Sequence, residues 1–416
     1  MSVPSPETLL RLAGVWYYVV SFAARLPFAM MVVGLLTLVV SVRESFSLGG
    51  LNSAAAGVGM ACFGPLLGLL ADRLGQRPVL LAAGIGNGIL LGLFAWVVYS
   101  PLPDGLLLAT SFLIGATSPQ VAPFSRSRLA AIVGQHIPSS LRPRTMNSMM
   151  AYESAADEIV FVIGPFVVGV LAAGIAPWAP LAAASALTLV FVSAFALHPT
   201  AVLERRGRSK GDAAPARQLV RPGILVLVVG VFGFGLFFGS TLTSLTAFLA
   251  ERATPEDAGI LYGVMSIGSA VFALGVALLP DSFSPRARLL VSVAIVLAGS
   301  ALLPLVTSVP QMALILALTG IGIGPALVTH YGFAADRSPA GRSSTVMASL
   351  GSAIILGQAL GAAVTGEVAQ HFPSQVALFL PAAFATIVVG ASLVNWPLSR
   401  PPSALVLRPD RMAPAK

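Results

Sequence analysis

The chain has 416 residues, is 56% hydrophobic and only 10% charged, and carries a formal net charge of +8. An average soluble domain is about 25% charged, so the composition excludes an ordinary soluble globular protein, and the excess apolar surface must face lipid. The single cysteine, Cys62, excludes a disulfide framework and a cysteine-based zinc site, and the four histidines fall in no metal-binding spacing.

A spanning helix needs roughly 20 mostly apolar residues, and the chain divides into about twelve such runs. They cover residues 14–42, 50–70, 79–99, 105–127, 146–173, 177–197, 222–249, 258–279, 288–308, 311–333, 342–369 and 374–396. The first is too long for a cleaved signal peptide and carries Arg25 at its middle. All are helix-length without strand-like alternation, so the predicted class is an all-α membrane protein rather than a barrel.

Basic residues follow the even-numbered runs. Arg73 and Arg77 follow the second. Arg126, Arg128, Arg142 and Arg144 lie at or after the end of the fourth. Arg205, Arg206, Arg208, Lys210, Arg217 and Arg221 crowd the central loop. Arg286 and Arg288 follow the eighth run and Arg337 and Arg342 the tenth, while Arg400, Arg408, Arg411 and Lys416 fill the tail. The opposite loops hold Arg43 and Arg252. This bias predicts a multi-pass protein of the cell (inner) membrane with both termini cytoplasmic. It also accounts for the basic balance without a nucleic-acid partner, leaving weak attraction to anionic lipid.

The polar segment Pro199–Pro222 splits the runs six and six. The expected domains are an N-terminal six-helix bundle (1–198), a cytoplasmic linker (199–221), a C-terminal six-helix bundle (222–398) and a cytoplasmic tail (399–416). The halves resemble each other. "MAYESAADEIVFVIGPFVVGVLA" (150–172) aligns without a gap to "MASLGSAIILGQALGAAVTGEVA" (347–369), pairing Gly164 with Gly361 and Gly169 with Gly366. "LLADRLGQRPVLL" (69–81) aligns to "LLPDSFSPRARLL" (278–290), pairing Asp72 with Asp281 and Arg77 with Arg286. Repeated halves are a recurrent transporter architecture with the cargo site between them.

"GLLADRLGQRPVL" (68–80) resembles the signature of the major facilitator superfamily between its second and third helices. Gly68, Asp72, Arg73, Gly75 and Arg77 match, whereas Gln76 replaces a usual basic residue. Gly68 is expected to permit close helix approach. Asp72 is expected to accept hydrogen bonds from a neighbouring helix N-terminus, and Arg73 and Arg77 to supply topology charge and ion-pair partners. "IGPFVVG" (163–169) resembles the Gly-Pro-x-x-x-Gly element of that superfamily's exporters, including the drug/proton antiporters. It makes Gly164, Pro165 and Gly169 a candidate hinge.

Three acids, Glu153, Asp157 and Glu158, open the fifth run. From a start near Met146, Glu153 lies about 10 Å in and Asp157 about 16 Å in. Those two share a face, with Glu158 rotated about 100° away. Ionisable groups at such depth are functional by default. Two layers are expected: Arg25 with Asp157 or Glu158, and Arg126 or Arg128 with Glu153. Asp157 is the first choice for exchanging a proton and Glu158 the second; a static charge network is the alternative. The C-terminal half offers Phe232, Phe234, Phe237, Ser240, Thr243 and Gln358 as a wall for an amphiphilic cargo. His330 is expected to be a solvated or helix-end histidine rather than a proton relay.

The resemblance implies a twelve-helix secondary active transporter in two pseudo-symmetric bundles, not an enzyme. The residues favour proton-coupled efflux of small, moderately hydrophobic organic compounds by alternating access. No cofactor is expected beyond the proton gradient, and no partner beyond the small-molecule substrate and the bilayer, for a monomer. A sugar or amino-acid transporter of the same fold, and a non-transporting receptor or scaffold, are the alternatives. A membrane enzyme is disfavoured because no catalytic constellation stands out.

Overall fold

A computed structural model describes residues 7–201, 214–251, 258–280 and 282–399. Among them, twelve helices are long and apolar enough to cross a membrane: α1 (Val15–Arg43), α2 (Leu48–Leu74), α3 (Gln76–Tyr99), α4 (Asp104–His136), α5 (Arg142–Gly174), α6 (Ala179–Leu197), α7 (Pro222–Leu249), α8 (Leu261–Leu278), α9 (Pro285–Leu305), α10 (Val309–Arg337), α11 (Ser343–His371) and α12 (Ser374–Leu398). Arg205, Arg206, Arg208, Lys210, Arg252, Asp281, Arg400, Arg408, Arg411 and Lys416 lie outside the described residues. The described arginines of the even-numbered connections, among them Arg73, Arg77 and Arg142, gather where α2 meets α3 and α4 meets α5. That end of the bundle is here called the basic end.

Most helix ends fall within a few residues of the sequence expectation. The exceptions are polar. Helix α10 runs to Arg337, and α4 runs to His136 because Ser125, Arg126, Ser127 and Arg128, taken as terminal, are buried and bonded to other helices. Arg126 and Arg128 therefore lie inside α4, not at its end.

Two helices are interrupted at mid-span, which the hydrophobic runs concealed. In α1 the helix stops at Ala23 and restarts at Leu26. Pro27 lacks an N–H, so the Ala23 carbonyl loses its helical donor. In α4 the helix stops at Ala116 and restarts at Val121, with Pro119 in the gap, and the Gly115 carbonyl accepts instead from the Ser118 amide at 3.1 Å. The equivalent helices α7 and α10 run unbroken.

The internal repeat is a repeat of packing. A Cβ added to Gly164 would meet the Ala29 Cβ at 2.6 Å, so α5 lies close on α1. A Cβ on the paired Gly361 would meet the Leu236 carbonyl oxygen at 2.2 Å, so α11 lies close on α7 in the same way. The halves meet along two seams, α2 against α11 and α5 against α8. One apolar cluster fills the first half around Leu35, Phe94 and Leu181, and another fills the second around Phe248, Val293 and Leu316. A third crosses between the halves, joining Leu80, Phe124 and Met150 to Val346 and Met347. Large apolar side chains such as Trp96, Phe166 and Leu314 point outward, the pattern a lipid surround requires.

Candidate transport site

The two interrupted helices converge on a cavity of about 110 Å³ between the halves. Arg25 and Pro27 reach it from the gap in α1, and Pro119 and Gln120 from the gap in α4. Asp157 and Phe161 of α5 complete that side, while Tyr331 of α10 and Ile354 of α11 face them from the other half. Irregular backbone at membrane depth is tolerated where it lines a cavity, and transporters place cargo sites there.

A closed charge network borders this cavity. Arg25 Nη2 bonds Glu153 Oε2 at 2.5 Å, and its Nη1 bonds Asp157 Oδ1 at 2.9 Å. Arg126 Nη2 bonds Asp157 Oδ2 at 2.5 Å. The other oxygen of Glu153 accepts from the Ser125 hydroxyl at 2.8 Å, and the Tyr17 hydroxyl lies 2.8 Å from Ser125 Oγ. Two guanidinium groups thus meet two carboxylates, and both oxygens of Asp157 hold an arginine. Arg126 also lies over the ring of Tyr331, 3.9 Å from its centroid. This ties the network to the opposite half through a cation–π contact. The Nε atoms of Arg25 and Arg126 and the hydroxyl of Thr188, all from cavity-lining residues, are buried without a hydrogen-bond partner among the described residues.

Glu158 stands apart. It is turned to the α5–α8 seam, where its Oε1 accepts from Ser269 Oγ of α8 at 3.0 Å. Among the described residues it has no arginine or lysine partner. The one-residue rotation between Asp157 and Glu158 separates a clamped carboxylate from one held by a neutral hydroxyl of the other half.

The loop motif forms a second cross-half junction, at the basic end. Asp72 accepts from the backbone amides of Ser344 at 3.1 Å and Thr345 at 2.8 Å, and from the Thr345 hydroxyl at 2.5 Å. It therefore caps the N-terminus of α11, where free amides and the helix dipole favour an anion. Gly68 lies where α2 and α11 touch: its Cβ would meet the Ser344 carbonyl oxygen at 2.8 Å. Gly75 joins α2 to α3 at φ +94°, a conformation L side chains rarely adopt.

Gln76, the departure from the signature, is buried. Its Oε1 accepts from Arg128 Nε at 3.1 Å, and its Nε2 donates to Ser127 Oγ at 2.8 Å and Ser344 Oγ at 3.3 Å. A basic residue here would press a second cation against Arg128; the amide turns that repulsion into a bond. Arg73 and Arg77 are exposed and form no ion pair among the described residues.

Several expected positions differ. Arg126 pairs with Asp157, not Glu153. Arg128 pairs with none of the three acids of α5; it donates to the Phe195 carbonyl and the Thr200 hydroxyl, each at 3.1 Å, and lies over the Phe195 ring. Gly164 is a close contact, but a Cβ on Gly169 would meet nothing within 4 Å. Pro165 sits inside an unbroken α5. None of Phe232, Phe234, Phe237, Ser240, Thr243 and Gln358 lines the cavity. Phe234 and Phe237 are fully buried, and Ser240 accepts from Thr365 at 2.8 Å. That face of α7 is a helix seam. A Cβ on Gly235 would meet the Ile354 carbonyl oxygen at 2.1 Å, and one on Gly239 the Gln358 carbonyl oxygen at 1.9 Å. His330 is not solvated: it is buried, bonded to the Ala326 carbonyl at 3.0 Å and set edge-on to Phe234.

Comparison with known proteins places this geometry. The family model described as Major Facilitator Superfamily matches residues 17–309 and 227–412. No curated protein matches the chain. Among solved structures, the human organic anion transporter MFSD10 (TETRAN) aligns with a TM-score of 0.71 at 18% identity, covering 94% of this chain and 100% of that one. A bacterial homologue of the iron transporter ferroportin, in an outward-facing state with soaked iron, aligns with a TM-score of 0.70 at 13% identity, covering 92% and 98%. The proton:xylose symporter XylE bound to 6-bromo-6-deoxy-D-glucose aligns with a TM-score of 0.67 at 14% identity, covering 92% and 94%. At these identities the likeness is one of fold.

Proposed function

The chain belongs to the major facilitator superfamily, and we propose that within it this protein exports small, moderately hydrophobic organic compounds by proton-coupled alternating access. One observation carries the reading: of the three acids on α5, two are neutralised by Arg25 and Arg126, and the third faces the opposite half with no cation among the described residues. A carboxylate between two arginines gives up its charge only by stranding them. Glu158 can gain or lose a proton without breaking an ion pair, and it sits on a seam that must rearrange when access alternates. The exchanging group is therefore Glu158 rather than Asp157, and the arginine–acid network serves as the fixed frame of the cavity.

The cavity walls support an amphiphilic cargo. Pro27, Phe28, Met31, Phe161 and Ile354 supply apolar surface, and Asn87, Gln120 and Tyr331 supply polar groups among it. The proton gradient is the driving force, with no cofactor. The protein acts as a monomer in the cell (inner) membrane, with the basic end and both termini in the cytoplasm. The hydrogen bonds that Asp72 accepts from α11 and that Gln76 donates to it hold the basic end together in this conformation, and their release opens it.

The test is a substrate panel offered to everted membrane vesicles with a pH-sensitive dye. Proton release upon addition of apolar or amphiphilic compounds, absent from vesicles lacking the protein, is expected. A response to sugars or amino acids alone, or none with any compound that binds, contradicts the reading.

A further inference from the structure

A second cavity, of about 500 Å³, lies between the halves at the basic end. The ends of α4 and α5 form one wall, including Ser127, Arg142 and Asn147; α9 and α10 form the other, including Arg288, Thr329 and Asp336. Arg288 is only 4% exposed. Its Nε donates to Thr329 Oγ1 at 2.8 Å, and its Nη2 crosses to Asn147 Oδ1 of the other half at 3.2 Å. Both acceptors are neutral. Among the described residues no carboxylate pairs with Arg288, in contrast to Arg25 and Arg126, each of which holds one at 2.5 Å.

Arg142 stands exposed at the rim on the facing wall, its Nε given to the Ile137 carbonyl at 2.8 Å. It too has no carboxylate partner among the described residues. Among the described residues the one acid lining the cavity, Asp336, is exposed and lies seven residues beyond Thr329 on α10, about 10 Å along the helix axis. A guanidinium withdrawn from bulk water without a counter-charge is costly, and such sites are ordinarily completed by an anion.

We propose that this cavity binds an oxyanion, of phosphate, sulfate or carboxylate type, between Arg288 and Arg142. Arg288 presents planar, charge-assisted donors fixed by Thr329 and Asn147, the arrangement that suits a trigonal or tetrahedral oxyanion. Because one arginine comes from each half, the bound anion bridges them and favours the conformation in which the basic end is closed. The site shares no lining residue with the central cavity and does not depend on proton coupling. Its ligand is either a soluble oxyanion or the headgroup of an anionic lipid.

The experiment uses the full-length protein in nanodiscs of a zwitterionic lipid. In one arm inorganic phosphate is titrated, with chloride at equal ionic strength as control. In the other, phosphatidylglycerol replaces part of the lipid and phosphate is left out. Each arm reads thermal stability and the apparent affinity of the stabilisation. Saturable stabilisation is expected in one arm, and that arm identifies the source. In Arg288→Gln the affinity falls by at least about tenfold, the loss of a charge-assisted hydrogen bond, while Arg288→Lys retains part of it. Should Arg288→Gln not fold, the exposed Arg142→Gln decides, with a severalfold loss expected. Stabilisation equal in wild type and variants, or none in either arm, overturns the proposal.

Discussion

Asp72, at the end of α2, accepts hydrogen bonds from both the amide and the hydroxyl of Thr345, the third residue of α11. The contact joins one half of the protein to the other through a single carboxylate. Asp72→Asn keeps the shape but replaces a charge-assisted cap with a neutral one, a difference of about 1 kcal/mol or more. The expected outcome is folded protein with slower transport and faster labelling of a cysteine placed at Ser344. Unchanged transport and labelling at equal expression would reduce the motif to a topology signal.

The Gln76–Arg128 bond yields a prediction with an internal control. Gln76→Lys, which moves the sequence toward the family signature, places an ammonium against a buried guanidinium. It should destabilise the protein by about 3 kcal/mol, read as a lower thermal midpoint. Adding Arg128→Gln should restore much of that loss. Full stability of Gln76→Lys alone would mean that Arg128 tolerates a second cation.

Gly164 and Gly169 should respond differently. Gly164→Val drives a side chain into Ala29, and overpacking of this kind costs about 1–3 kcal/mol. Gly169→Val meets open space and should leave expression, stability and transport unchanged. Equal sensitivity at both positions would favour a hinge that uses the whole Gly-Pro-x-x-x-Gly element.

The twelve spans, their division and the Asp72 junction were legible because each is written in composition or in a short motif. Lipid demands long apolar runs, and a helix N-terminus demands an anion. The paired glycines 164 and 361 made the repeat visible in one dimension, and their contacts with α1 and α7 show why. What stayed hidden depends on rotation and on neighbours. The gaps in α1 and α4 are bordered by apolar residues, so hydropathy passes over them; Pro27 and Pro119 were the available signal. The cargo wall on α7 failed for a related reason. Gly235-x-x-x-Gly239 and Gly357-x-x-x-Gly361 are close-approach patterns, and together they mark a seam between α7 and α11 rather than a surface facing cargo. That Arg25 takes both Glu153 and Asp157 follows from the helical spacing of those acids; that Arg126 reaches the deeper one needed the true length of α4.

Orientation is open to direct measurement. In a Cys62→Ser background, a cysteine at Ala216 in the linker should resist an impermeant thiol reagent applied to intact cells, and one at Asp104 should react. The reverse pattern would invert the topology and the proposed direction of transport.

The measurement that bears most directly on the central claim compares Glu158→Gln with Asp157→Asn, each purified, reconstituted and assayed for cargo binding, counterflow exchange and gradient-driven transport. Glu158→Gln keeps the contact with Ser269 and removes the exchangeable proton. It should lose gradient-driven movement while retaining binding and counterflow. Asp157→Asn removes the carboxylate shared by Arg25 and Arg126, at a cost of about 3–5 kcal/mol, so stability and binding should fall together. Gradient-driven transport at the wild-type rate in Glu158→Gln, or selective loss of coupling in a stable Asp157→Asn, would contradict the assignment.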